Sequence, residues 1–127
     1  KIAMEKGSCI APFNLGGYYK KSDPKTAFKY YKMAAKRGDA QAMHKCGHML
    51  EVYQGVKLDI EASKHFYREA GENGNGLSFN NLAVMMDKDD DDVSDEALAL
   101  YQRGAKLGCA DAKINLARAM LIGPHTN

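Results

Sequence analysis

The sequence predicts an all-α fold of tandem helix–turn–helix units. Three observations predict it. A two-segment pattern recurs at offsets of 36 and 34 residues, the apolar residues of each segment repeat with helical spacing, and a glycine followed by a capping residue punctuates each unit. Aligned on Gly38, Gly74 and Gly108, the preceding segments read KYYKMAAKRG (29–38), KHFYREAGENG (64–74) and LALYQRGAKLG (98–108). Tyr31, Tyr67 and Tyr101 fall in register, as do Tyr30, Phe66 and Leu100, and small residues follow at Ala34-Ala35, Ala70-Gly71 and Gly104-Ala105. A second segment reads APFNLGGYY (11–19), AMHKCGHML (42–50), SFNNLAVMM (78–86) and AKINLARAM (112–120), aligned on Leu15-Gly16, Cys46-Gly47, Leu82-Ala83 and Leu116-Ala117.

Taken in order, residues 2–7 (IAMEKG) match the tail KMAAKRG (32–38) and read as the end of a preceding unit. Helices are expected at 9–20, 24–37, 40–53, 60–73, 76–87, 94–107 and 110–122. Gly7, Gly38, Gly74 and Gly108 stand where a helix ends on a left-handed residue. Ser8, Asp39 and Asn75 follow as N-caps, Cys109 with Asp111 nearby being the weaker fourth case. Asp23-Pro24 places a cap before proline at the first helical position, and Asp59 and Ser94 serve similarly. In 24–37, Ala27, Tyr30, Tyr31, Ala34 and Ala35 share a face expected in the core, while Lys25, Lys29, Lys32 and Lys36 line the opposite, solvated one. Tyr31, Tyr67 and Tyr101 are expected to be buried between layers.

The motif A-x-x-x-L-G-x-x-Y, a G-V-x-x-D loop, then A-x-x-x-Y-x-x-A-A-x-x-G resembles the Sel-1-like repeat, a relative of the tetratricopeptide repeat. The second unit carries it at Ala42, Gly47, Gly55-Val56, Asp59, Tyr67, Ala70 and Gly74, and the first at Leu15-Gly16, Tyr19, Ala27, Tyr31, Ala34-Ala35 and Gly38. The third departs from it, with Ala83 for the glycine, Met86 for the tyrosine and an acidic run in the turn. The resemblance implies a right-handed α/α superhelix and a single array over residues 1–127, divided at 8–38, 39–74, 75–108 and 109–127. Such an array has about three repeats plus partial units at both ends. Polar capping helices usually close natural arrays. The expectation here is therefore a piece of a longer one, with Ile2, Met4, Ile114 and Leu121 under-covered.

Composition excludes several function classes. Hydrophobic residues make up 45% of the 127, enough for a packed core and too many for a disordered chain. No apolar run approaches the roughly 20 residues of a membrane helix, so no membrane insertion is expected. A net charge of +2 does not suggest nucleic acid. The charge is unevenly spread: residues 1–74 hold 13 Lys/Arg against 8 Asp/Glu, and residues 75–127 hold 5 against 8. Cys9, Cys46 and Cys109 form no C-x-x-C pair, which favours buried thiols in a reducing, cytoplasmic compartment over disulfides or zinc.

No enzyme, cofactor or metal site is expected. His44 and His48 share a helical face but lack an H-E-x-x-H pattern and a third ligand, so a solvated or partner-contacting pair is expected. The run DKDDDDVSDE (87–96) has Asp92 where a calcium loop needs glycine, and reads as a solvated turn. The lysine stripe has no interleaved exposed aromatics, and no serine stands in a G-x-S-x-G context.

The expected function is a protein-interaction scaffold that binds a partner protein or extended peptide along the first helix of each unit, the concave wall implied by the resemblance. Asn14, Lys45, Asn81 and Asn115 occupy the position before the Leu-Gly or equivalent pair. Asparagine is a poor helix former, so three recurrences need a reason: either a bond to a neighbouring helix that fixes the stacking, or amide contact with a peptide backbone. The resemblance places His44, His48, Val84 and Arg118 on the same wall. Lys45 and Arg118 would receive carboxylates, favouring an acidic or C-terminal peptide. The alternatives are a structural subunit of a larger assembly, or a relative of secreted β-lactam-binding hydrolases. The latter carry a disulfide pair in each repeat, which three cysteines do not provide.

Overall fold

The computed structural model describes residues 10–52, 57–87 and 93–122. Among them are seven helices and no strand: α1 (Ile10–Tyr19), α2 (Pro24–Lys36), α3 (Ala40–Glu51), α4 (Ile60–Glu72), α5 (Gly76–Met86), α6 (Asp95–Lys106) and α7 (Ala110–Ile122). Each expected helix is present, with ends shifted by at most two residues. None of the described helices is long and apolar enough to cross a membrane. The chain forms two compact units, Lys1–Asn73 with α1 to α4 and Gly74–Asn127 with α5 to α7.

The ends of the helices follow from side-chain chemistry. Asp23, Asp39, Asp59, Asn75 and Ser94 each accept a hydrogen bond from a backbone N–H in the first turn of the helix they precede. Cys109 takes the same role more weakly, its Sγ accepting from the Ala112 N–H at 3.4 Å. Gly38, Gly74 and Gly108 have φ of 98°, 102° and 92°, the left-handed region that other residues avoid. After α2, the Gly38 N–H donates to Ala35 and the Asp39 N–H to Ala34; after α6, Gly108 donates to Ala105 and Cys109 to Gly104. Both are Schellman closures, which satisfy the last carbonyls of one helix while aiming the chain into the next. Gly7 and Ser8 lie outside the described residues, as do Gly55, Val56 and residues 88–92.

In the first unit, Ala27, Tyr31, Ala34 and Ala35 of α2 pack with Ala42, Met43, Cys46 and Met49 of α3 and with Ala70 of α4. Tyr67 is fully buried. The close helix approach comes from glycine: a Cβ on Gly47 would stand 2.9 Å from the Tyr67 ring, and one on Gly16 would stand 2.7 Å from the Tyr31 ring. Ser63 adds a buried hydrogen bond, its Oγ donating to the Gly47 carbonyl at 2.7 Å. In the second unit, Ala83 replaces that glycine, and the close approach moves to Gly76 and Gly104, each of whose added Cβ would meet the other's carbonyl oxygen at 2.9 Å. Phe79, Leu82, Val93, Ala97, Leu100, Tyr101, Ala112 and Ala119 are buried there. The three register tyrosines are thus all buried, as the repeat requires.

Tyr30 differs from the expectation. It is only partly buried, stacked on the Tyr19 ring with centroids 5.9 Å apart. The four lysines of the α2 stripe are exposed as expected. Phe28, however, lies half-buried beside them with the Lys32 ammonium 5.5 Å above its ring, so the stripe does carry one aromatic neighbour. Ile114 and Leu121 of α7 are 67% and 85% exposed; Ile2 and Met4 lie outside the described residues.

Candidate functional site

The residues singled out by the repeat register all fall on α1, α3, α5 and α7, the first helices of the successive units. Asn14 is exposed on α1. On α3, His44 and Lys45 are partly buried and His48 is exposed. The i, i+4 spacing puts the two histidines on one face, yet their surroundings differ. The His44 ring packs 5.2 Å from the Tyr67 ring. Burial, reinforced by His48 and Lys45, pushes its pKa down to about 4. His44 is therefore a neutral packing group over most of the pH range and not a solvated one. Burial and then Lys20 lower the Lys45 pKa as well. Among the described residues no cluster of three or more His, Cys, Asp or Glu is placed to hold a metal ion.

The structure brings His44, Lys45 and His48 together with Lys20, Tyr31 and Met49 around one cavity of about 200 Å³ in the first unit. The lining holds four basic side chains and no acid.

In the second unit the arrangement is different. Asn81 is partly buried on α5, and Val84, one turn further along, is 49% exposed. Asn115 is engaged internally: its Nδ2 donates to Oδ1 of the buried Asn80 at 2.9 Å, tying α7 to α5. Arg118 is engaged too, its Nη2 lying 3.3 Å from Oδ2 of Asp87. The same Asp87 oxygen accepts from the Tyr101 hydroxyl at 3.2 Å, and burial together with Asp87 raises the Tyr101 pKa to about 12. Oδ1 of Asp87 is buried with no hydrogen-bond partner among the described residues.

The position five residues after the register Leu or Cys escaped the sequence reading. It is Lys20, Glu51, Asp87 and Leu121 in successive units. In the second repeat the Tyr67 hydroxyl donates to Oε1 of Glu51 at 2.7 Å, and in the third Tyr101 donates to Asp87. A tyrosine-to-carboxylate bond therefore recurs between the two helices of a repeat. The signal was present in the alignment as an acid in two of four units. Nothing in the sequence says that a residue at the end of one helix reaches the mid-helix tyrosine of the next.

Cys46 is a buried free thiol, with burial pushing its pKa up to about 12, so it is unreactive near neutral pH. Cys109 is also free, and Cys9 lies outside the described residues.

Comparison with known proteins agrees with this geometry. The chain aligns over 92% of its length with a Sel1 repeat protein from Oxalobacter formigenes, at 28% identity and a TM-score of 0.78, and spans 49% of that chain. It aligns over 92% of its length with a protective antigen of uropathogenic Escherichia coli strains displaying an SLR fold, at 24% identity and a TM-score of 0.78, and spans 27% of that chain. It thus covers about half or less of the length of either protein. The Sel1 repeat profile matches residues 13–39, 40–75 and 81–109, three successive copies whose boundaries track the left-handed glycines and their caps. On these matches and on the helix pairs that carry them, the chain belongs to the Sel1 repeat family.

Proposed function

We propose that the chain is a protein-interaction scaffold that binds a partner protein or extended peptide through the first helix of each repeat. Membership in a family commonly used for protein interaction supports the coarse reading. The observation that carries the finer one is the pair Asn81 and Val84. Successive on one face of α5, they present a partly exposed amide and a half-exposed aliphatic side chain, while Phe79 and Leu82 of the same helix are buried. An amide can both donate to and accept from a peptide backbone, while the valine offers an apolar anchor beside it. The second helices contribute their register tyrosines and small residues to packing instead.

Within this reading Asn14 and Asn81 contact the peptide backbone, and His44, Lys45 and His48 with Val84 set its side-chain preferences. Asn115 serves the stacking role through Asn80, and Arg118 binds a partner only by exchanging Asp87 for a carboxylate of that partner. The function is one of binding and not of catalysis. The array division at 8–38, 39–74, 75–108 and 109–127 belongs to the same proposal, each unit supplying one wall helix.

The test compares capture of partners from native extract by the wild-type chain and by Asn81→Ala and Val84→Glu, with thermal stability measured in parallel. Loss of the same captured species from both variants, with melting temperature unchanged, supports the wall. Equal capture by folded variants refutes it.

A further inference from the structure

The first repeat departs from the tyrosine-to-acid pairing of the next two. Tyr67 has Glu51 and Tyr101 has Asp87, but the register places Lys20 opposite Tyr31. No described residue accepts a hydrogen bond from the Tyr31 hydroxyl. Tyr31 instead helps to line the cavity of about 200 Å³ shared with Lys20, His44, Lys45 and His48. His48 sits at the register position of Arg118, the residue that pairs with Asp87 in the second unit. The first repeat therefore retains the tyrosine and a basic residue of that cluster, and has a lysine in place of its acid.

We propose that this cavity is a carboxylate-binding site, in which a ligand supplies the acid that Glu51 and Asp87 supply internally in the later repeats. The site rests on the peptide-binding reading above and names the chemistry it selects. The Tyr31 hydroxyl donates to one oxygen, as Tyr67 and Tyr101 do to theirs. Lys20 and Lys45 provide charge-assisted donors to the carboxylate, and His48 adds a ring N–H donor. The basic groups repel one another: Lys20 lowers the pKa of Lys45, and His48 and Lys45 add to the burial that lowers that of His44. An anion among them relieves that repulsion. A water occupies about 30 Å³ of liquid, so the cavity holds a carboxylate with several waters.

The carboxylate comes from a chain terminus or from an acidic side chain, and the probes separate the two. Three acetylated five-residue alanine/serine peptides are titrated into the full chain and followed by amide NMR shifts of Lys20, Lys45 and His48. One has a free C-terminal carboxylate, one a central glutamate and an amidated end, and one is neutral and amidated. At least one acidic peptide is expected to bind, and the neutral one about tenfold more weakly or not at all. Lys20→Glu gives the first repeat the acid its siblings have. It is expected to keep or raise the melting temperature and to lose about tenfold or more of the affinity. Lys36→Glu makes the same change of net charge on the exposed stripe and is expected to bind as wild type.

Equal binding of the neutral peptide, retained binding by folded Lys20→Glu, or equal loss in Lys36→Glu overturns the proposal. So does binding of inorganic phosphate with neither acidic peptide. Partner capture that depends on Asn81 and Val84 but not on Lys20 overturns the pocket and leaves the scaffold standing. Lys20-dependent peptide binding, with capture indifferent to Asn81 and Val84, supports the pocket and removes Asn81 and Val84 from the binding wall.

Discussion

Tyr67 shows how one side chain holds a repeat together. It is buried, its ring fills the space left by the missing Cβ of Gly47, and its hydroxyl donates to Glu51. Tyr67→Ala is expected to cost about 3–5 kcal/mol, the range for emptying an aromatic core site, measured by urea unfolding. Gly47→Ala forces the ring to move and is expected to cost about 1–3 kcal/mol. A neutral result for Gly47→Ala would show that the ring has room. Ser63 stands where the other repeats have Ala27 and Ala97, and its bond to the Gly47 carbonyl is an addition peculiar to the second repeat. Ser63→Ala is expected to lose only about 1 kcal/mol. His44 gives a pH dependence of definite sign. Its folded pKa of about 4 lies below the ordinary 6.5, so between these values the unfolded chain binds a proton that the folded chain refuses. Stability therefore falls as pH is lowered from about 6.5 toward 4, and this part of the loss is absent in His44→Gln. Urea midpoints of the two proteins, compared across that window, check it. Identical pH profiles would place His44 in solvent.

At the scale of the element, the starts of α2 to α6 are set by local capping chemistry. Asp59 accepts from the Ala62 N–H at 3.1 Å, and its own N–H donates to the Leu50 carbonyl, so one residue starts α4 and anchors the turn from α3. Asp59→Ala is expected to cost about 1 kcal/mol through the cap. The alanine keeps the backbone bond, and the same substitution at exposed Glu61 serves as a control. Stability equal to wild type in Asp59→Ala would mean that the turn, not the cap, fixes the start of α4. These elements were legible because caps and left-handed glycines act over three or four residues. The partial burial of Tyr30 and the full burial of Val93 were not. Tyr30 shares the helical face of Tyr31, but whether a neighbour covers it depends on Tyr19, a residue of another helix. Val93 is a single apolar residue after an acidic run and carries no periodicity of its own.

At the scale of the whole molecule, α7 leaves Ile114 and Leu121 exposed on one face seven residues apart. A following helix of consensus repeat sequence, fused behind residue 122, is expected to cover them and raise the melting temperature in thermal circular dichroism. No rise would show that this face needs no cover. The sequence by itself determined the seven helices of the described residues, their limits to within two residues, the family and the buried tyrosines. Repeat register and capping are local or periodic properties, and every copy restates them. The tertiary structure alone decided which members of a register set remain available to a partner. Asn81 and Asn115 are equivalent in sequence, yet the Asn115 amide is spent on Asn80. Lys45 and Arg118 were both expected to receive carboxylates, yet Arg118 lies on Asp87 while Lys45 borders a cavity with Lys20 and no acid in its lining. The difference comes from residues distant in sequence, Asp87 in one case and Lys20 in the other, which only packing brings against these side chains. A hydrogen bond or charge pair depends on separations of a few ångströms, and repeat spacing does not encode them.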